Sequence, residues 1–457
     1  MKQGYIVFGG IFFFLTGFLS GVELGSAKSE EDKRLETIQY GTETEIAALI
    51  KTIQSETSEL LDSKLETELI NLSQNTRNQH ILTGLLGFFA ERKKPGLEAR
   101  ALKAIAERDD EAHTTVLAAI DYLGKINASE AIAHLEDLLD ANEERYMDAA
   151  FRALGRAAKG SSGKDQAAEY LIDFYTNRNP PDQNRREMVV AIGETGSKAG
   201  ISFLSEIARH NEERPVVRMA AIEALSKIGD PAGLDPILEA LSAEDPNVRS
   251  AAVGSLGPFS GSQVDGAILE SFRDSYYRTR IGAAKAAGER KLAGAVPYLR
   301  YRAEYDEVPT VKDEAIKALG AVGTSESKAV LDALFSDRKT SDRTRMLAAQ
   351  MLIDNDPGAY ADKVIVELDE AKKNHQTPLY NGLLKAISAA KTGKVEGLVR
   401  RFLNAGGVIE KSYALDMTLA NEFRGLAPEI RGLLDDKSSG LARKARATLE
   451  KLGLPTS

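Results

Sequence analysis

The stretch "VVRMAAIEALSKIGDPAGLDPILEALSAEDPNVRSAAVGSLGPF", residues 216–259, states one pattern twice, Val217-Arg218 being answered by Val248-Arg249. Taking Leu225 as an anchor, counterparts stand at Leu123, Leu154, Ile192, Leu256, Ala287, Leu319 and Leu352. The step between them stays in the low thirties, with one longer step from Leu154 to Ile192. Weaker counterparts follow at Ile387, Leu419 and Leu449. A repeat of this length is one supersecondary unit that cannot hide its own apolar face, so neighbouring units must stack to do it. Few other features of a chain restrict its fold so strongly.

Each register position has a physical reading. Four residues before the anchors stand Ala119, Ala150, Ala221, Ala252, Ala283, Ala315 and Ala348. Residues i and i+4 share a helix face, and a small one admits a close neighbour. Gly124, Gly155, Gly193, Gly257, Gly288 and Gly320 directly follow their anchors, where glycine weakens a helix unless a backbone approaches. Gly196, Gly229 and Gly323 read as the left-handed residue that ends a helix. Beyond them Leu234, Ile237, Leu238 and Leu241 mark a second apolar helix face, repeated by Ile268, Leu269 and Phe272. Asp182, Asp245-Pro246 and Ser341-Asp342 supply a cap before the next first helix. The expected fold is all-α, an α-solenoid forming a right-handed superhelix of about twelve helix pairs, on the order of 100 Å long.

These residues resemble HEAT repeats, in the short form of the HEAT-like repeats of phycobilisome lyases. The pattern stands as Pro215-Val216-Val217-Arg218 to Ile228-Gly229-Asp230, and as Asp245-Pro246-Asn247-Val248-Arg249 to Leu256-Gly257. The resemblance covers roughly residues 75–455 and is strongest over 110–355. It implies the fold; for function it implies only a family that mostly binds other proteins.

The chain divides into four parts. Residues 111–457 are the repeat array, and 41–110 read as helices with a blurred small-residue register, as in capping repeats. Residues 28–40, "KSEEDKRLETIQY", are a charged tether or frayed helix. Residues 1–27 are a separate object: Lys2, an uncharged run from Tyr5 to Val22, then Gly25-Ser26-Ala27. That is the layout of a signal peptide cut after Ala27, or of a retained membrane anchor. Either way the lone basic residue before the run and Glu23, Glu30, Glu31 and Asp32 after it direct the body out of the cytoplasm. The expected location is the periplasm or the outer face of an inner membrane, with membrane contact only through this segment. The chain has no cysteine, so no disulfide or thiolate chemistry is available and packing must supply the stability.

Two sets of basic residues stand out. Seven residues before successive anchors stand Arg185, Arg218, Arg249, Arg280, Lys312 and Arg345. They read either as a structural ladder bonding carboxylates and helix-end carbonyls, with Asp182, Asp245 and Asp342 within reach, or as a basic stripe gripping an acidic strand. Separately, residues 273–302 hold eight basic and two acidic side chains on a chain of net charge −9. Arg273, Tyr276, Tyr277, Arg278, Tyr298, Tyr301, Arg302 and Tyr305 are the candidate partner-binding residues there. Tyrosine and arginine favour protein interfaces; the alternative is a solvated helix face. Tyr301 takes the register of Glu239 and Glu270 and should face solvent, whereas Arg300 takes that of Leu238 and Leu269, which suggests a local rearrangement.

Signals for catalysis are missing. No histidine is followed by glutamate, and none of the five pairs at i, i+4. "KGSSGKDQ" at 159–166 lacks the leading glycine and the Ser/Thr of a phosphate loop. Excess acid over base (68 against 59) opposes general nucleic-acid binding. The reading is an exported, non-enzymatic scaffold for protein partners, without cofactor, metal or nucleic acid. Alternatives are a HEAT-like enzyme or enzyme accessory, lyase-like or nucleic-acid-modifying, and a binder of an acidic cell-wall polymer.

Overall fold

The computed structural model describes residues 29–56, 62–178 and 182–456. The export segment 1–27 and the cap expected of the Asp182 side chain lie outside what is described. The described residues form 26 α-helices and six short 3-10 turns, with no strand. None of these helices is long and apolar enough to cross a membrane. The chain divides into two compact units, residues 1–126 and 127–457.

In the first unit the charged segment is a helix, Glu30–Tyr40, closed by a Ser29/Asp32 capping box. It packs on Ser63–Asn75, buries Ile38 and joins Arg34 to Glu56. The helices Gln79–Glu91 and Glu98–Ala106 both pack on His113–Lys125, the last helix of this unit. Their buried Phe89, Leu97 and Ala101 stand at the spacing of Leu225, Gly233 and Ile237.

In the second unit each repeat is a first helix, a turn and a second helix. Leu154, Ile192, Leu225, Leu256, Ala287, Leu319, Leu352, Ile387 and Leu449 have no exposed surface, nor has Leu123 in the first unit. The first helices pack on one another along the unit: Glu144–Ala158 on Asp182–Thr195, that on Pro215–Ile228, and Tyr277–Glu289 on Pro309–Val322. Small residues make this possible. A Cβ on Gly193 would lie 2.5 Å from Ala224 Cβ, and one on Gly155 would lie 2.4 Å from the Ala191 carbonyl oxygen. Gly257 departs from that reading. The helix Pro246–Gly254 ends before it, and only a glutamate side chain comes near. Gly196, Gly229 and Gly323 have φ of 66°, 68° and 67°, the left-handed cap expected of them.

Two register assignments are corrected. Leu419 is only half-buried while Thr418 is fully buried. With the anchor at 418 the alanine four residues back is Ala414, and twelve residues on is buried Ile430. The second-helix core position lies twelve past the anchor: Ile237, Ile268, Leu299 and Leu331 are all fully buried. Position 13, held by Leu238 and Leu269, is a half-exposed rim. Arg300 therefore sits exposed at its ordinary place, and no rearrangement is present.

Second helices approach one another far less than first helices do. Leu234–Ala240, Ser262–Ser271 and Val296–Tyr305 make almost no close backbone approach between them. Open furrows are left between neighbouring second helices as a result.

Candidate functional site

The basic ladder positions are built from the loop upward. Arg249 donates from Nε and Nη2 to the two carboxylate oxygens of Asp274 (2.7 and 3.1 Å) and from Nη1 to the Ala243 and Glu244 carbonyls. Arg280 repeats this one unit on, with Asp306 (2.8 and 2.9 Å) and the Asp274 and Ser275 carbonyls. Arg218 donates to the Ala208 carbonyl, Lys312 to that of Glu304, and Arg345 to that of Phe335 and to the Glu367 carboxylate. Arg185 lies 3.8 Å from Glu213 and over the Tyr175 ring. Arg218, Arg280 and Arg345 are buried. The carboxylates that meet Arg249 and Arg280 come from the loop after the second helix, most of a repeat further along the chain. They do not come from Asp245, which caps its own helix through the Asn247 and Val248 N–H groups.

Asp274 and Asp306 are held below the ordinary aspartate range. Burial opposes their charged forms, but hydrogen bonds from Arg249 and from Arg280, backbone N–H groups of Tyr276 and Val308, and the nearby guanidiniums outweigh it.

The tyrosine-rich segment separates into two places. Tyr276 and Tyr277 open a first helix, half-buried, their rings 5.3 Å apart. The Tyr276 hydroxyl donates to Asn247 Oδ1, and exposed Arg278 donates to the Tyr277 hydroxyl. Arg273, Tyr298, Tyr301 and Arg302 instead come together, with Pro297, around one open cleft of about 390 Å³. Tyr298 stacks on buried Phe272 at 5.7 Å. The Arg273 guanidinium lies over the Tyr298 ring, and that of Arg302 over Tyr301. Tyr305 adjoins Tyr301 at 5.2 Å and lines the next furrow. Tyr301 is 55% exposed and Tyr305 67%.

The helix Val296–Tyr305 owes this face to substitution on a constant frame. At positions 11, 13, 14 and 15 past the anchor, the two preceding repeats carry Pro236, Leu238, Glu239, Ala240 and Ala267, Leu269, Glu270, Ser271. Here they are Tyr298, Arg300, Tyr301 and Arg302. Tyr298, Tyr301 and Arg302 stand out in the sequence, whereas Arg300 does not, because position 13 reads as apolar core.

Charge is in excess at this cleft. Arg302 reaches Asp306 at 3.3 Å, but that carboxylate is already bonded at both oxygens by Arg280. Arg273 is matched by Glu270 at 2.9 Å, both well exposed. Among the described residues no ion pair joins Arg300. Nor is any group of three or more described His, Asp or Glu side chains arranged to hold a metal ion.

Paired helices with buried alanine and leucine registers and a buried arginine in the first turn of the first helix define a HEAT-type α-solenoid. The sequence matches the family model of the spirochaete HEAT repeat proteins over residues 38–448, and the chain belongs to that family. Among solved structures it is similar to Kap121p, at 13% identity and a TM-score of 0.44, over 92% of this chain and 53% of that one. It is also similar to importin beta in an ammonium sulfate condition, at 14% identity and a TM-score of 0.48, over 92% and 67%. The chain thus spans about half the length of Kap121p. No curated protein matches it.

Proposed function

We propose that this chain is a scaffold that binds a protein partner outside the cytoplasm, with the Tyr298–Tyr305 face as its principal contact. One observation carries the proposal. Two tyrosines more than half exposed stand side by side among arginines, and Tyr301 occupies a register position that holds glutamate in the preceding repeats. Tyrosine rings bury much area at little entropic cost, and tyrosine and arginine are enriched among the residues that dominate interface energetics. The frame beneath them is already ordered by repeat stacking, so binding orders few further groups. The location outside the cytoplasm rests on the charge asymmetry around Tyr5 to Val22.

The test is photo-crosslinking in intact cells from position 301, with position 239 as its register twin. Adducts to a protein are expected from 301 and not from 239. The pair Tyr301→Ala and Arg302→Ala should abolish recovery of that partner while leaving the helical circular dichroism unchanged. Equal adducts from both positions, or undiminished recovery by the variant, would refute the assignment of this face. Accessibility of the body to a label that passes the outer membrane but not the inner one tests the location; a protein labelled only after the inner membrane is broken is cytoplasmic.

A further inference from the structure

Three furrows lie in succession between second helices. The first, about 460 Å³, is lined in part by Leu238, Leu241, Ala267 and Arg273. The second is the 390 Å³ cleft, which shares Arg273. The third, about 480 Å³, runs from Ala303 and Tyr305 across to Ala333, Leu334 and Lys339. The helix Val296–Tyr305 is the common wall of the second and third.

From this geometry we infer that the furrows take one extended acidic polypeptide segment bearing an apolar side chain about every third residue. This rests on the protein-binding reading above and names the partner's chemistry. Three observations support it. Charge comes first. The lining of the middle cleft holds two arginines and no acid. Arg302 is surplus to an aspartate that Arg280 already satisfies, and exposed Arg300 has no ion pair among the described residues. Acids nearby are engaged: Glu270 with Arg273, Asp274 with Arg249. In the outer furrow Lys312 and Lys339 balance Glu304 and Asp337, so the excess of positive charge lies at the middle cleft. The second observation is apolar floor. Leu238 and Leu241 in the first furrow and Ala333 and Leu334 in the third call for aliphatic side chains, which an acidic sugar polymer does not carry. The third is spacing. The first helices pack on the order of 10 Å apart, and this sets the smallest spacing between successive furrows. A polyproline II segment rises about 3.1 Å per residue with three residues per turn, so every third side chain falls on one face about 9 Å further on. Such segments arrive already extended and dock against aromatic walls, here Tyr298, Tyr301 and Tyr305.

The experiment uses the purified full chain and a fluorescein-labelled peptide, Leu-Asp-Pro repeated four times, read by anisotropy. Binding is expected to weaken as salt rises. It should fall at least tenfold in Arg300→Glu and in Tyr301→Ala, and stay unchanged in Arg446→Glu, a charge reversal on an exposed residue of the last helix. The counterpart peptide with lysine for aspartate should not bind, and polygalacturonate should not compete. Failure of the aspartate peptide to bind, equal binding of the lysine peptide, or wild-type affinity in Arg300→Glu would overturn the inference. Displacement by polygalacturonate would overturn it in favour of an acidic polysaccharide. If crosslinks from position 301 still reach a protein while the acidic peptide does not bind, the scaffold reading survives and this one falls.

Discussion

A residue in this chain matters through the layer it belongs to. Leu225 has no exposed surface, so Leu225→Ala leaves a cavity and should cost roughly 2–5 kcal/mol in chemical denaturation. A change below about 0.5 kcal/mol would mean the site collapses without loss. Arg280 and Asp306 make the most buried ion pair among the described residues, with side chains 6% and 1% exposed. Removing Arg280 leaves Asp306 only the longer contact to Arg302 at 3.3 Å, so Arg280→Met should cost up to about 3–5 kcal/mol. The pH dependence follows from the depressed folded-state value of Asp306. Its stabilising contribution is present above the unfolded aspartate value near pH 4 and is lost as pH falls through the lower folded value. Denaturation midpoints of the wild type should therefore drop below about pH 4, and Arg280→Met should drop less steeply there. Parallel pH profiles would show that Asp306 contributes nothing to acid sensitivity.

At the scale of the element, glycine separates the helix surfaces that touch from those that do not. Gly193→Ala forces a Cβ against Ala224 of the next first helix. The gain of about 1 kcal/mol in helix propensity should be outweighed by overpacking, a net loss of about 1–2 kcal/mol. Gly266, in the second helix Ser262–Ser271, has nothing within 4 Å of an added Cβ. Gly266→Ala should stabilise by up to about 1 kcal/mol, and opposite signs for the two melting shifts would check the pair. The same contrast explains what can be read in advance. Buried anchors recur because each must fill the same space, so Leu225, Ala221 and Ile237 are visible as a period. Rim positions are set by what stands next to them in space. Leu238 therefore looks like core although it is half exposed, and Arg300 looks misplaced although it is not. The acceptors of Arg249 and Arg280 stand far downstream, beyond any local motif, and only the folded loop brings Asp274 and Asp306 to them. Leu419 looks like the anchor because leucine is the commoner residue there. Burial of the Thr418 hydroxyl is tolerated because it donates to the Ala414 carbonyl at 2.7 Å. Tyr301 is legible because its register twins are glutamates. The separation of Tyr276 and Tyr277 from the cleft is not, because nearness in sequence joins residues that two different helices carry.

The molecule as a whole is a set of repeats, none of which can bury its apolar face without its neighbours. Their stability is approximately a sum of local terms and nearest-neighbour interfaces, and a binding face can be written onto one helix without disturbing the frame. The most direct test of that claim is hydrogen exchange, resolved by mass spectrometry, on Leu225→Ala against the wild type. Exchange should rise in Pro215–Ile228 and in its stacked neighbours Asp182–Thr195 and Pro246–Gly254, and remain unchanged in Val408–Ala420 and Ser439–Lys451. A uniform rise across residues 127–456, or none next to the substitution, would contradict it.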